Sequence, residues 1–233
     1  MRINKYIASC NIASRRKAEE MILEGRVCIN DNVINDLATK VSELDIVKID
    51  GNLVSLISEK KYYMLNKPAK YVSTAKDQFS RSSVVDFFDK TDRVYPVGRL
   101  DYESRGLLLI TNDGELTHAL THPKYHVEKK YIVRVDSKLS EDQEVGFING
   151  VDIGGYVTAN CMLKYLNNNS YEVIIKEGKN RQIRKMFDSF GKNVLDLKRV
   201  SIGKLELGNI EEGSYRSLTS DEVLYLRKIC NLQ

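Results

Sequence analysis

The feature that most constrains this chain begins at "EKKYYMLNKP", from which point apolar strand segments are separated by short polar turns, with helical candidates scattered among them. The candidates are "SSVVDFF", "ELTHALTH", "SEDQEVGFING", "RQIRKMFDSFG" and "SDEVLYLRKI", and they follow no regular β-α-β repeat. Interspersed elements without that repeat predict a mixed, largely antiparallel α+β fold. Neither G-x-G-x-x-G nor G-x-x-x-x-G-K-[ST] occurs, so dinucleotide and nucleoside triphosphate sites have no support.

The opening stretch reads differently. Ile3, Ile7 and Cys10 recur at helical spacing, and Ser14 opens a second helix whose core face is Ala18, Met21 and Ile22. Gly25 is the expected terminator. "RVCINDNVI" and "DIVKIDGNLV" each read as two strands around a polar turn, with Asp50-Gly51 the strongest hairpin signal. A chain of 233 residues has room for one small and one larger core. The expected division is a small α+β domain over residues 1–57, a linker over 58–60 and a larger α+β domain over 61–233.

Charge is concentrated in two places. The first 26 residues hold six Lys or Arg against three Glu, and residues 176–204 hold nine against three acids, although the net charge is only +4. In "SRRKAEE", Arg15, Arg16 and Lys17 occupy the first helical turn, where the helix dipole prefers acids. Pairs Arg15–Glu19 and Arg16–Glu20 would run in the weaker base-before-acid direction. A bound phosphate would remove the conflict; a solvated helix end is the alternative reading.

Several classes are disfavoured. No apolar run approaches the roughly 20 residues that cross a bilayer, and the N-terminus lacks the apolar centre of a secretory signal, so a cytoplasmic protein is expected. Cys10, Cys28, Cys161 and Cys230 form no C-x-x-C pair and read as buried free thiols. His118, His122 and His126 share helical spacing, but Pro123 interrupts that helix and no H-E-x-x-H pattern accompanies them. No metal site is expected.

Residues 1 to about 57 resemble the S-four-type RNA-binding domain, a small module named for a ribosomal small-subunit protein. That resemblance implies RNA binding through Arg15, Arg16 and Lys17. The rest of the chain resembles the pseudouridine synthases, in the group typified by the RsuA, RluB and RluF enzymes. The resemblance is carried by "VGRLDYESRGLLLITNDGEL" and, in order, by "LNKPAKYVST", "EKKYIVRV" and "EGKNRQIRKMFDSFGKNVLDLKRVSIGKLEL". It implies an isomerase that breaks and remakes the glycosidic bond of a uridine in ribosomal RNA, with no cofactor and with Asp101 as nucleophile.

The same resemblance assigns the neighbours. Arg184, in "RQIR", is expected to pair with Asp101, because a carboxylate enclosed with a flipped-out base is desolvated and needs a cation beside it. Tyr131 is expected to stack on the uracil and help move a proton, an ordinary core tyrosine being the alternative. Arg99 is expected to contact the RNA backbone or fill the space of the extruded base. Lys67 and Arg181 are expected phosphate contacts. Members of the group commonly carry glycine after "KPA" where this chain has Lys70, and glycine permits backbone shapes that lysine adopts only at a cost. A hydrolase with a carboxylate pair is set aside, since Asp101 and Glu103 would point to opposite faces of an extended segment.

"NRQIR" resembles the large-subunit enzymes more than the small-subunit one, so large-subunit RNA is the expected target and a monomer the expected state. The alternatives are the small-subunit enzyme of the group and a non-catalytic ribosome-assembly factor with the same fold. The joint presence of Asp101, Tyr131 and Arg184 favours the enzyme.

Overall fold

The computed structural model describes every residue except 57, 58, 90 and 233. The expected domain boundary at 57 and the first linker residue, 58, therefore lie outside the described residues. The chain divides into two compact units, Met1–Lys61 with Asn112–Gly114, and Tyr62–Thr111 with Glu115–Gln233.

The first unit contains α1 (Ile3–Ser9), α2 (Arg15–Leu23), β1 (Val27–Ile29), β2 (Asn32–Val33), β3 (Val47–Ile49) and β4 (Asn52–Val54). The strands form one antiparallel sheet in the order β2-β1-β3-β4. Ser14 caps α2, its Oγ accepting from the Lys17 N–H at 3.2 Å, and Gly25 follows the helix at φ +71°. Both hairpins turn through two residues at positive φ, Asn30-Asp31 (50° and 64°) and Asp50-Gly51 (49° and 80°). These backbone values match the twist of paired strands, which is why Asn, Asp and Gly sit there. Ile3, Ile7, Ala18, Ile22 and Val27 are wholly buried in its core. The charge pairing differs from expectation: Lys17 pairs with Glu20 at 2.7 Å, while Glu19 accepts from the Asn4 amide at 2.7 Å. Asn4 is buried, and a buried amide N–H without a partner is costly, so it takes the Glu19 carboxylate.

The second unit contains β5 (Tyr62–Lys67), β6 (Tyr95–Pro96), β7 (Arg105–Thr111), α3 (Gly114–Thr121, its first residue falling in the other unit), β8 (Lys129–Val135), α4 (Glu141–Asn149), β9 (Met162–Tyr165), β10 (Ser170–Ile175), α5 (Gln182–Asp188), β11 (Val194–Ile202), β12 (Leu205–Glu206), β13 (Tyr215–Ser217) and α6 (Ser220–Ile229). Its sheet runs β13-β5-β7-β11-β8-β10-β9, with β12 on β11 and β6 on β7. Among the described strand pairs of this sheet, β7–β11 alone is parallel. At that pairing a Cβ on Gly106 would lie 2.8 Å from the Arg199 backbone nitrogen and collide with its carbonyl, so the close approach requires glycine.

Both faces of the sheet are covered, which explains the unbroken apolar run in β7. Leu108 and Ile110 join one core with Tyr131, Val133, Phe147 and Phe187; Leu107 and Leu109 join the other with Leu116, Leu120 and Leu226. Four of the five helical candidates form α-helices. "SSVVDFF" instead makes a 3-10 turn over Val84–Phe87, closed by reciprocal bonds between Ser83 and Asp86 that satisfy its backbone locally. Helix α3 stops before Pro123, and His122 caps the 3-10 turn that follows, its Nδ1 accepting from the Lys124 N–H at 3.2 Å. His126 sits beyond at φ 47°, so the three histidines share no helix. Among the described residues, no cluster of three or more His, Cys, Asp or Glu is placed to hold a metal ion, and no helix is long and apolar enough to cross a membrane.

Candidate active site

Asp101 lies at the head of the loop that joins β6 to β7. Four contacts fix that loop. Ser73 brackets Leu100, its Oγ donating to the Leu100 carbonyl at 2.8 Å and accepting from the Leu100 N–H at 3.1 Å. The Lys70 N–H donates to the Tyr102 carbonyl at 2.6 Å, and the Ser104 N–H donates back to the Asp101 carbonyl at 3.0 Å. Beneath them the Lys67 ammonium donates to the carbonyls of Pro68 (2.9 Å), Asp101 (3.2 Å) and Ser104 (2.7 Å). The segment "NKPAKYVST" is thus the scaffold under the Asp101 loop.

This corrects the expectation for Lys67. The side chain is 0% exposed and cannot meet an RNA phosphate. Its three protons are all used on backbone, which is the full donor capacity of an ammonium. Burial pushes its pKa down to about 8, against the pull of Asp101 and Glu212. The signal was present in the sequence: on a strand, Lys67 faces the same side as Leu65, which is core.

The carboxylate opens on a cleft of about 220 Å³. Leu100, Tyr131, Ile175, Ile183 and Leu197 give it an apolar floor, and Arg99, Lys179, Asn180 and Arg181 give it a polar rim. Tyr131 stands in β8 opposite Val173 of β10 and Arg199 of β11, and is 7% exposed. It belongs to the core and lines the cleft as well. Arg99 is exposed and has no hydrogen-bond or ion-pair partner among the described residues. The rim is organised by Glu177, whose carboxylate accepts from Tyr156 Oη (2.6 Å), the Ala159 N–H (3.0 Å) and Gln182 Nε2 (2.7 Å). Gln182 Oε1 in turn accepts from the Lys179 N–H at 3.0 Å. Glu177, Gln182, Ser73 and Ser104 escaped sequence reasoning, because polar residues in loops and at a helix start carry no periodicity.

Arg184 departs from expectation. It projects from α5 with its side chain 12% exposed, donates from a terminal nitrogen to the Val194 carbonyl at 3.0 Å, and lies 4.0 Å from Glu103. Among the described residues it forms no direct pair with Asp101. Burial lowers its pKa, and the opposing pull of Glu103 exceeds that of Asp101. The reason is local: residues 101–104 form a turn closed by Ser104, not an extended segment, so Glu103 is carried onto the cations of α5. Arg181, at φ 52°, pairs with the same carboxylate at 3.4 Å. Arg15, Arg16 and Lys17 lie exposed on the first unit.

The family model for RNA pseudouridylate synthase matches residues 61–189. The chain belongs to the RNA pseudouridylate synthase family. A model for the S-four domain matches residues 1–54. Ribosomal large subunit pseudouridine synthase B of Bacillus subtilis is 38% identical over 237 residues, covering 99% of this chain and 97% of its own. The dual-specificity RNA pseudouridine synthase RluF of Escherichia coli is 37% identical over 231 residues, covering 98% of this chain and 79% of its own. A crystal structure of a pseudouridylate synthase superposes with a TM-score of 0.72 at 31% identity, over 97% of this chain and 99% of that one. The chain is therefore an isomerase with an N-terminal RNA-binding module, and the mixed α+β expectation holds for both units.

Proposed function

We propose that this pseudouridine synthase acts on large-subunit ribosomal RNA, with Asp101 as its nucleophile. The observation that carries the reading is the Asp101 turn, locked by Lys67, Ser73 and Ser104 so that its carboxylate meets a cleft floored by Tyr131. The cleft is smaller than the roughly 300–1,000 Å³ of sites for drug-sized ligands, a size that suits one extruded base. The names of the Bacillus subtilis and Escherichia coli relatives support an RNA target, and the former supports the large subunit.

In the proposed reaction the N1–C1′ bond of the uridine breaks, the uracil turns, and C5 bonds to C1′. The proton on C5 leaves and N1 gains one, so neither water nor cofactor is consumed. Asp101 supplies the ionised carboxylate. Tyr131 stacks on the ring and assists the proton transfer. Arg99 and Arg181 meet the RNA backbone at the rim, and Arg15, Arg16 and Lys17 meet it from the small domain, taken as residues 1–57 with 58–60 as linker. We take the protein to work as a cytoplasmic monomer.

The test is single-turnover conversion of unmodified ribosomal RNA by purified protein. Asp101→Asn should fold and bind RNA but lose at least about three orders of magnitude in rate, since the amide is isosteric and a poor nucleophile. Normal conversion by that variant rejects the assignment. Mapping pseudouridines in both ribosomal RNAs from cells with and without the gene tests the choice of subunit.

A further inference from the structure

Beside the cleft lies a second groove of about 330 Å³, where Arg181, Arg184, Lys185 and Lys192 face two carboxylates, Glu103 and Asp188. The fit of Glu103 there is poor. One of its oxygens is shared between Arg181, at 3.4 Å, and Arg184, at 4.0 Å. Well-made bonds between guanidinium and carboxylate run to about 2.7–2.9 Å. The Arg184 Nε is buried and has no hydrogen-bond partner among the described residues. Exposure is also lopsided: the Glu103 side chain is 60% exposed, that of Arg184 12%. Glu103 can leave for solvent at little cost, whereas Arg184 cannot stay buried without an anion.

We propose that Glu103 holds the place of an RNA phosphodiester, which displaces it from Arg181 and Arg184. The proposal rests on the pseudouridine synthase reading and adds how the bound strand completes the site. A phosphodiester brings two charged oxygens in place of one shared carboxylate oxygen, so each guanidinium gains its own acceptor. The exposed Lys185 side chain, with no partner among the described residues, and Lys192 extend the track for the neighbouring phosphate. Because Glu103 and Asp101 sit on one four-residue turn, the group that leaves is mechanically linked to the carboxylate that lines the cleft.

The experiment uses the full chain and large-subunit ribosomal RNA made by in vitro transcription. Glu103→Gln removes the competing charge and keeps the shape. It should tighten RNA binding by about two- to five-fold at low salt, the range for one exposed ion pair, and raise the single-turnover rate at sub-saturating RNA by a similar factor. In an Arg181→Gln background the gain should shrink, because one of the two guanidinium partners of Glu103 is already absent. Unchanged or weaker binding by Glu103→Gln overturns the proposal. So does a gain that persists undiminished with Arg181→Gln, which would reduce the effect to net charge. Absence of pseudouridine from RNA treated with wild-type protein would strike the catalytic reading instead, and the binding comparison is read independently of it.

Discussion

The two basic clusters of this chain are built in opposite ways. At the start of α2, Arg15, Arg16 and Lys17 are exposed, and the ion pair on that turn joins Lys17 to a similarly exposed Glu20. Around the Asp101 loop, Lys67 is wholly buried on three carbonyls and Arg184 nearly so, between a carbonyl and a distant carboxylate. The first cluster offers mobile charge to any polyanion. The second commits its charge to geometry: a buried cation must be satisfied by fixed acceptors, and fixing them fixes the loop that carries them. The contrast teaches that burial commits a cation to fixed acceptors, while exposure leaves a cation of like kind uncommitted.

Removing the most buried cation should break the comparison most sharply. Lys67→Met keeps the volume but leaves the carbonyls of Pro68 and Ser104 without their ammonium donor, and that of Asp101 with the Ser104 N–H alone. Denaturant melts should show a loss of about 2–4 kcal/mol. Single-turnover activity should fall about a hundred-fold, the scale set by misplacing a reacting group by an ångström. The pH dependence carries a distinctive sign. The folded protein holds the Lys67 pKa near 8, below the ordinary 10.5, so between those values the unfolded chain binds more protons. Stability from this group therefore rises with pH through that window. Wild type should gain on Lys67→Met as pH climbs from about 8 to 10.5. Lys129, also pushed to about 8 by burial and by Arg199, is common to both proteins and cancels. A gap between the two that is flat with pH would mean that the ammonium is not desolvated.

The same division decides what the sequence could disclose. The Ser14 cap, the Asp50-Gly51 turn and the core face Ala18, Met21, Ile22 were legible because each is a local rule with a local cause. The strand content and four helices of the larger unit were legible as apolar segments and helical candidates set between polar turns. Placement within the site was not. Lys67 reads as a basic residue beside a proline, and only its strand neighbour Leu65 reveals that it faces inward. Glu103 departs from the face that an extended segment would give it because the Asp101–Ser104 turn is imposed from a distance, by Lys67 and Ser73. Arg184 is not paired with Asp101 in this structure for the same reason, since the carboxylate that reaches Arg184 depends on that turn.

The exposed cluster should respond in binding and hardly in folding. Replacing Arg15, Arg16 and Lys17 together by Gln should weaken RNA binding and flatten the slope of log affinity against log salt, by up to about 0.9 for each duplex phosphate no longer neutralised. Thermal stability should hold or rise slightly, because three cations leave the positive end of a helix. An unchanged salt slope would return these residues to the role of a solvated helix end.

The smallest expected effect separates charge from backbone at a single residue. Lys70 is exposed, yet its backbone sits at φ +67°, the left-handed region that glycine enters freely and lysine does not. The position is held there because its N–H must reach the Tyr102 carbonyl, at 2.6 Å, to close the Asp101 loop. The conformation costs lysine about 1–2 kcal/mol, and glycine gives back part of that gain through the greater freedom of its unfolded chain. Lys70→Gly should therefore stabilise the protein by a net of about 0.5–1 kcal/mol. Lys70→Met removes the same charge while keeping the strained backbone, and should stay within about 0.5 kcal/mol of wild type, as exposed substitutions usually do. Equal stabilisation by both variants would place the effect in the charge and refute the backbone account. Gain from glycine alone would show that this lysine, three residues from Lys67, is tolerated by the fold where Lys67 is required by it.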